Sequence, residues 1–401
     1  PYAVTVNESH IVRIDKLVAG GDGLTRLPDG RVVFVPDVLP GESVEISLDT
    51  KARDFGRGAV LDVLDASADR REPPCPHVAD GCGGCDWQHI APPAQSRAKV
   101  DIVVEAFART GKLEITPRLR TLDDGARRTT VRMVSDRNGT LGFRMGESND
   151  MVGVASCMVA HPMVNEIISS PLLEGEGEVT IRVSPRTGER GVWCHEGQMR
   201  RDLDASVARG ARGVVHEVVD GHRFKVSMGS FFQSSAEAAE LIVDVVRRRL
   251  NGLELDPGGT LVDAYGGVGL FSRVFADRFD ELMLVESNPQ ACRDAIANLE
   301  DCAATVVQSQ MEHWDPCDAD VVIADPARQG LGKQGAQAIV DTGAPVIVLV
   351  SCDPVAGARD ARLLVSAGYE LREVEVLDIF PETHHVEVIS LFTGDFDDEE
   401  D

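Results

Sequence analysis

The sequence predicts an α/β protein with a doubly wound parallel sheet, preceded by a small β-barrel and a β-rich central region. From Ser227 onward, apolar strand-like runs alternate with helical stretches, which is typical of a parallel sheet covered on both faces. From residue 8 to about 66, short segments of alternating apolar and polar residues are separated by Gly and Pro, which indicates a small barrel. With 401 residues, the chain is long enough for two or three packed domains.

These changes of pattern divide the chain into regions. We expect a barrel in residues 1–69, a central region in residues 70–93 and 118–228, an α/β domain in residues 94–117 and 229–395, and an acidic tail in residues 396–401. Residues 95–110 are predicted to be helical, because Val100, Val103 and Phe107 share one helical face. The tail is most simply a solvated end.

Composition argues against several classes of protein. The chain has no run of about 18 apolar residues, so we expect no membrane span. Nine cysteines, an odd and unevenly spaced set, favour reduced thiols, metal ligands or catalysis over a disulfide framework. We therefore expect a cytoplasmic protein, without a membrane partner and acting as a monomer. The net charge of −26 disfavours nucleic-acid binding over the whole surface, although arginine clusters leave room for a local basic groove.

Cys352 lies just beyond Val346–Val350, an apolar run that predicts a buried parallel strand. The carboxyl end of such a strand is where an open α/β sheet places chemistry, and a thiol there can attack an electrophilic carbon. Taken alone, a buried core cysteine is the commoner alternative.

The first predicted strand of the α/β domain ends in Asp263 and runs into the turn Gly266–Gly269, while the second strand ends in Glu286. Glycines let the backbone approach a ligand at a helix N-terminus, and the carboxylate can accept hydrogen bonds from ribose hydroxyls. A dinucleotide and S-adenosylmethionine both fit this pattern. We favour S-adenosylmethionine, because the turn lacks the full dinucleotide fingerprint and Asp263 would repel a pyrophosphate.

Three cysteines, Cys75, Cys82 and Cys85, lie close together in a Gly-rich loop, and Cys157 is the best candidate for a fourth ligand. Four thiolates can bind either one zinc ion or an iron–sulfur cluster, and the spacing alone does not choose between them.

Taken together, these motifs resemble the family of S-adenosylmethionine-dependent RNA uracil-5-methyltransferases. The similar segments are the barrel, which resembles a TRAM (OB-like) domain, the loop Cys75–Cys85, and the motifs Met228–Gln233, Asp325–Gly330, Val350–Pro354 and Phe380–Glu387. The resemblance covers nearly the whole chain and implies a Rossmann-like class I methyltransferase domain. It also implies an RNA substrate, with 23S ribosomal RNA preferred over transfer RNA.

The resemblance implies a role for each site residue. Cys352 would add to C6 of uracil, Glu387 would remove the C5 proton, and Asp325 would face the cofactor and the base. The implied S-adenosylmethionine contacts are Gln233, Tyr265, Gly267, Glu286, Gln310 and Asp325. Cys75, Cys82, Cys85 and Cys157 would hold a [4Fe–4S] cluster, which we expect to lie far from the methyl transfer. The chain departs from the family pattern at Ser235, Gly266, Leu270 and Asp353.

Three alternatives remain open at this stage. A cytosine-C5 methyltransferase also uses a cysteine adduct, although the Pro-Cys or Thr-Cys-Ser patterns of such enzymes are absent at Cys352. A non-catalytic RNA-binding cluster protein would not need Cys352 and Glu387 together. An NAD-dependent oxidoreductase would bind NAD in place of S-adenosylmethionine.

Overall fold

The computed structural model describes residues 9–49, 55–122, 127–146, 148–170, 173–174, 176–196, 198–199, 206–253, 255 and 258–394. The predicted acidic tail, 396–401, lies outside these residues.

The N-terminal strands form one six-stranded sheet that curls as a half-barrel around its own core. They are β1 (Ser9–Arg13), β2 (Lys16–Leu17), β3 (Gly23–Arg26), β4 (Val32–Val35), β5 (Ser43–Asp49) and β6 (Phe55–Asp65), in the spatial order β1-β5-β6-β4-β3-β2. Alternate residues face inward, so Val33, Val35, Val44 and Ile46 are fully buried. The alternating pattern in the sequence therefore predicted this sheet correctly.

The middle of the chain contains helix α1 (Pro92–Ala106), strand β7 (Arg118–Thr121) and a second six-stranded sheet. This sheet has the order β10-β9-β8-β12-β13-β15 and is formed by β8 (Thr130–Ser135), β9 (Leu141–Arg144), β10 (Met151–Gly153), β12 (Gly177–Val183), β13 (Arg190–Cys194) and β15 (Ala208–Arg209). Helix α2 (Pro162–Ile168) packs on it, and β11 (Leu173–Glu174) pairs with β14 (Gln198–Met199). The hairpin β16 (Val214–Val219) and β17 (His222–Ser227) follows.

The largest sheet has eight strands in the order β20-β19-β18-β21-β22-β24-β23-β7. Its elements after β17 are α3 (Ala236–Asn251), β18 (Thr260–Ala264), α4 (Leu270–Val274), β19 (Glu281–Glu286), α5 (Pro289–Asn298), β20 (Ala304–Gln308), β21 (Val321–Ala324), α6 (Gly332–Val340), β22 (Val346–Ser351), α7 (Pro354–Ser366), β23 (Glu370–Asp378) and β24 (Glu387–Thr393). Strands β18 to β22 are parallel, and β24 lies antiparallel between β22 and β23.

Helices cover both faces of this sheet, which explains why its central strands are apolar throughout. Helices α3 and α4 pack into the core on one face, and α1, α6 and α7 pack into the core on the other. Every residue of β21 and β22 is buried. The predicted fold class, an α/β protein with a doubly wound sheet, an N-terminal β-sheet unit and a β-rich central region, is confirmed.

Two segments that we expected in the central region pack elsewhere. Strand β7 pairs with β23 at the edge of the large sheet, and the hairpin β16–β17 contributes Val219, Phe224 and Val226 to the core under α3. Their short alternating patterns do not reveal which sheet or core they join, because strand partners are set by contacts distant in sequence. The other domain limits stay predictions.

Among the described helices, none has both the length and the apolar surface needed to cross a bilayer.

Candidate active site

The carboxyl ends of five neighbouring strands bring most of the predicted site residues to one edge of the large sheet. Asp325 follows β21, Cys352 follows β22, and Glu286 ends β19. Tyr265 follows β18, and Gln310 lies two residues beyond the end of β20. Because parallel strands end at the same edge, residues far apart in sequence meet there.

Cys352 and Glu387 are neighbours in the antiparallel register of β22 and β24. Ser351 pairs with Val388, so the next residues along the two strands, Cys352 and Glu387, lie side by side. Residues opposite each other in an antiparallel pair share a face and lie within side-chain contact. A thiol and a carboxyl group therefore meet at the end of β22, although 34 residues separate them in the chain.

The Glu387 carboxyl group is buried, and the Asp325 carboxyl group next to it is partly buried. Glu387 is 3% exposed. Burial raises the pKa of Glu387 well above its usual value, and the nearby Asp325 raises it further. Burial also raises the pKa of Asp325 to about 7. Gln233 Nε2 donates to Asp325 Oδ2 at 3.3 Å, which connects the Gln233 motif to this pair.

The Cys352 side chain is a thiol rather than a thiolate in this environment. Burial raises the pKa of Cys352 to about 12, and the negative charges of Glu387 and Asp325 add to that effect, whereas Arg328 opposes it. Arg328 donates to His385 Nδ1 at 3.2 Å. Burial lowers the pKa of His385 to about 4, so its ring is neutral at pH 7 and can accept this hydrogen bond.

The turn after β18 is arranged around the Glu286 carboxylate. Gly267 N donates to Glu286 Oε2 at 3.1 Å, and Asn288 N donates to Glu286 Oε1 at 2.5 Å. Tyr265 has a φ of +60°, Gly267 a φ of +55° and Gly269 a φ of +89°, so the turn adopts a left-handed backbone at three positions. Such strain at a non-glycine residue is typical of ligand-binding turns.

Among the residues that the structure describes, three buried polar atoms at this edge have no hydrogen-bond partner. They are Asp263 Oδ1, the Tyr265 hydroxyl oxygen and Glu387 Oε1. Burial raises the pKa of Asp263 to about 6, and its other oxygen accepts hydrogen bonds from Ser272 N and Oγ. Orphaned buried polar atoms are costly in proteins, so their concentration here indicates a site that a polar ligand completes.

Three of the departures from the family pattern have local structural explanations. Ser235 Oγ caps helix α3 by accepting from Ala238 N, and Asp353 caps α7 by accepting from Val355 N and Ala356 N. A Cβ at Gly266 would lie 2.6 Å from Leu284 Cγ, so a larger residue does not fit there without a shift.

The turn that carries Gln233 is anchored from two sides. Arg182 is buried and donates to Ser227 O and Ser230 O at 2.8 and 2.9 Å. Asp294, fully buried on α5, accepts from Ser227 N and Oγ and from Ser230 Oγ. These contacts fix the backbone just before Gln233.

Cys75, Cys82, Cys85 and Cys157 line one small cavity of about 20 Å³. Burial raises the pKa of Cys85 to about 11 and also raises the pKa of Cys82 and Cys157, with the neighbouring thiols adding to each shift. The structure therefore brings together the four cysteines that the sequence singles out. Within the described residues, however, no group of three or more Cys, His, Asp or Glu side chains is arranged to hold a metal ion as it stands.

The residues that follow Cys85 contact the segment that leads into Glu387, while the expected distance between the cysteines and the methyl transfer stays a prediction. Asp86, next to Cys85, accepts a hydrogen bond from His384 N, and Trp87 N donates to Glu382 O. His384 and Glu382 precede Glu387 by a few residues. The pattern of cysteines gave no sign of this contact, because it depends on how two distant loops pack.

Several residues at the site received no role from the sequence. Arg328, His384 and His385 stand inside the motifs Asp325–Gly330 and Phe380–Glu387, but nothing in the motifs separates them from residues that only pack. The sequence does not reveal that they lie beside Cys352 and Glu387 in the fold.

The chain matches proteins described as RNA methyltransferases along nearly its whole length. One from Streptomyces avermitilis is 32% identical over 428 residues, covering 96% of this chain and 98% of the relative. Another from Streptomyces coelicolor is 31% identical, covering 96% of this chain and 93% of the relative. The chain belongs to the RNA methyltransferase family. No protein-family model matches it.

A solved structure has the same fold as this RNA methyltransferase. The tRNA (uracil-54, C5)-methyltransferase of Pyrococcus abyssi, solved with S-adenosyl-L-homocysteine, superposes with a TM-score of 0.71 at 22% identity. The superposition covers 96% of this chain and all of the archaeal chain. The Rossmann-like methyltransferase fold expected from the sequence is thereby confirmed.

Proposed function

We propose that this RNA methyltransferase transfers a methyl group from S-adenosylmethionine to C5 of a uridine. The observation that carries the proposal is the pairing of Cys352 with Glu387 at the end of β22, with Asp325 on the adjacent strand. Uracil C5 is a weak nucleophile, and this trio has the groups needed both to activate it and to remove its proton.

Cys352 activates the base by bonding its Sγ to C6, which moves the C5–C6 electron pair toward C5 and O4. Its high pKa means that the thiol proton has to leave as the sulfur adds, and Arg328 is the cation that favours the thiolate. C5 would then take the methyl group, whose bond to the sulfonium sulfur would break to leave S-adenosylhomocysteine, and Glu387 would remove the remaining C5 proton. The Cys352–C6 bond then breaks and the C5–C6 double bond is restored.

S-adenosylmethionine supplies the methyl group as a sulfonium, which is an electrophile for the activated C5. The residues at the strand ends fit this cofactor. Glu286 would accept from the ribose hydroxyls, and the unpartnered Tyr265 hydroxyl is available to a polar ligand. Gln233, Gly267, Gln310 and Asp325 complete the proposed contacts.

The four cysteines around the small cavity are proposed to hold a [4Fe–4S] cluster. Four thiols gathered from two loops are a suitable donor set, since thiolates are the ligands of such clusters. Burial raises the pKa of Cys82, Cys85 and Cys157, and repulsion between ionised thiols adds to each shift. A cluster would relieve this repulsion by neutralising the charge of the bound thiolates.

The substrate is proposed to be a structured RNA in which the target uridine can leave its stack. A base inside a helix cannot reach a buried thiol, so it must be flipped out or lie in a loop. Both ribosomal RNA, the class preferred from the sequence, and transfer RNA offer such loops.

The test is methyl transfer from labelled S-adenosylmethionine to total RNA, followed by nucleoside analysis and mapping. We expect label in 5-methyluridine with the wild-type enzyme and none with Cys352→Ala. A Cys317→Ala variant is the matched control, since Cys317 packs against the α/β core away from the strand ends. Label in 5-methylcytidine would favour the cytosine alternative, and RNA binding without transfer would favour a non-catalytic protein.

A further inference from the structure

The 379–386 connection, which joins β23 to β24, is held in an unusual conformation just before Glu387. Glu382 at its centre has a φ of +66°, in the left-handed region that favours glycine. A glutamate stays there only where the surrounding contacts over-determine the backbone. Those contacts identify what fixes the position of the proposed base.

The Glu382 contacts come from the cysteine region and helix α1. Arg71 and Gln95 Nε2 donate to Glu382 Oε2 at 2.5 and 3.0 Å. Glu382 N donates to Gln95 Oε1 at 3.0 Å, and Trp87 N donates to Glu382 O at 3.1 Å. The side chain and both backbone polar groups of Glu382 are therefore bound by residues 71–95.

Asp86 binds the next turn of the same connection. Its Oδ1 accepts from His384 N at 3.2 Å, and its Oδ2 is hydrogen bonded to His384 Nδ1. Because Asp86 directly follows Cys85, it links the cysteine loop to the connection, next to the contact that Trp87 makes with Glu382.

The N-terminal half-barrel also packs against the Asp86–His384 pair. Gly21 has a φ of +94°, and a Cβ there would lie 2.8 Å from Asp86 Oδ2 and 3.0 Å from His384. Trp87 Nε1 donates to Gly21 O at 3.0 Å. The approach is too close for any other residue, so three regions of the chain meet tightly at the Asp86–His384 pair.

From this pair the contacts lead directly into the proposed active site. The rings of His384 and His385 lie 4.2 Å apart, and His385 accepts from Arg328. Between His385 and Glu387 stands only Val386, which is 2% exposed and packed in the core. A shift at His384 therefore moves the start of β24, where Glu387 lies.

We propose that Asp86 is a positioning residue for Glu387, and that the ordered cysteine loop thereby sets the rate of proton removal from C5. This inference rests on the proposed function, because it assumes a Cys352 adduct that Glu387 resolves. Cys352 follows β22, and its link to the connection is indirect, through Arg328 and His385. Asp86 should therefore affect the breakdown of the adduct far more than its formation.

The test separates these two steps in an Asp86→Ala variant of the full-length protein. We expect the RNA–protein adduct to form at about the wild-type rate and to break down roughly 10- to 100-fold more slowly, the scale of a misplaced catalytic group. Adduct then accumulates in the presence of S-adenosylmethionine. Asp69→Ala is the matched control, because the Asp69 and Asp86 side chains are 47% and 40% exposed and Asp69 pairs only with Arg97 in an exposed ion pair.

Two further variants keep the test decisive if Asp86→Ala folds poorly. Asp86→Asn retains an acceptor for His384 N, so its breakdown rate should lie between those of wild type and Asp86→Ala. In a Glu387→Gln background, Asp86→Ala should add no further slowing, since the base that it positions is already gone. An Asn variant no better than Ala, or additive effects in the double variant, would overturn the inference.

Failure of the inference differs from failure of the proposed function. If Glu387→Gln accumulates adduct but Asp86→Ala behaves like Asp69→Ala, or slows both steps equally, Asp86 is not a positioning residue. If wild-type enzyme makes no 5-methyluridine and Glu387→Gln traps no RNA, the proposed function itself is wrong.

Discussion

At the scale of single residues, the site is defined by carboxyl groups that are buried without a cation beside them. Asp263 and Glu387 are buried and Asp325 is partly buried, and each raises the pKa of a neighbour. Burying carboxyl groups in this way costs stability, so proteins concentrate such groups where function needs them. A carboxyl group with a raised pKa is a stronger base once it is ionised, which suits proton removal from carbon.

The raised pKa values predict a pH dependence for the breakdown of the methylated adduct. Glu387 acts only when ionised, so the rate should rise with pH above the range in which an ordinary glutamate ionises and then level off. Asp325→Asn removes a negative charge that raises the pKa of Glu387, so the rise should move to lower pH. Rapid-quench measurement of adduct decay across this range checks both points. A flat profile, or a shift to higher pH in Asp325→Asn, would contradict them.

Glu286 provides a test of cofactor binding at the same scale. Glu286→Ala should weaken S-adenosylmethionine binding by about 1–3 kcal/mol, the scale of hydrogen bonds to a charged group. Isothermal calorimetry measures this directly. Glu281→Ala is the control, because Glu281 is exposed at the opposite end of the same strand. Equal affinities for the two variants would remove Glu286 from the cofactor site.

At the scale of elements, helix α1 connects the cysteine region to the large sheet. Lys99 on this helix is fully buried and pairs with Asp378 at the end of β23, while Ser96 Oγ donates to Asp378 Oδ2. Lys99 Nζ also donates to Phe380 O at 2.9 Å. Burial lowers the pKa of Lys99, and the charge of Asp378 opposes this shift. Removing either partner would therefore leave the other charge buried and uncompensated.

Breaking this pair should destabilise the protein far more than breaking an exposed one. Lys99→Met leaves Asp378 buried and uncompensated, which should cost about 3–5 kcal/mol. Arg97→Met, on the same helix, breaks an exposed pair with Asp69 and should cost about 0–1 kcal/mol. Denaturant midpoints followed by circular dichroism compare the two. Similar midpoints would show that α1 is not held by Lys99.

The cysteine loop makes a separate prediction at the element scale. Protein purified without oxygen should be brown, with broad visible absorbance and about four irons per chain, as expected for a [4Fe–4S] cluster. Cys85→Ser should lose both signals, whereas Cys317→Ser should keep them. Stoichiometric zinc without iron in wild-type protein would replace the cluster with a zinc site.

At the scale of the whole molecule, local patterns predicted more than long-range contacts. The alternation of strands and helices, the glycine turn and the strand before Cys352 were all readable, because each depends on neighbouring residues. The sequence did not reveal three features that depend on pairing between distant segments. They are the antiparallel position of β24, the place of β7 and the contact of Asp86 with His384. The cysteines were found by spacing, whereas their proximity to the connection was not.

The partners of the clustered arginines are a further example of contacts that the sequence did not reveal. The clusters that leave room for a local basic groove despite the net charge of −26 include Arg118, Arg120, Arg127, Arg128, Arg132 and Arg144. Arg118 and Arg120 lie next to Glu373 and Glu375, and Arg132 and Arg144 share Glu178. Ion pairing offsets much of the positive charge that phosphate groups would meet, and a sequence count of arginines does not reveal these partners.

The most direct test of the account is to trap the intermediate that Cys352 and Glu387 share. Glu387→Gln enzyme is incubated with RNA and S-adenosylmethionine, denatured, and analysed by electrophoresis and by mass spectrometry of the linked peptide. The account predicts RNA bonded to Cys352 through a methylated uracil, and no such species with Cys352→Ala. A Glu387→Gln enzyme that turns over at the wild-type rate, or an adduct that persists in Cys352→Ala, would contradict it.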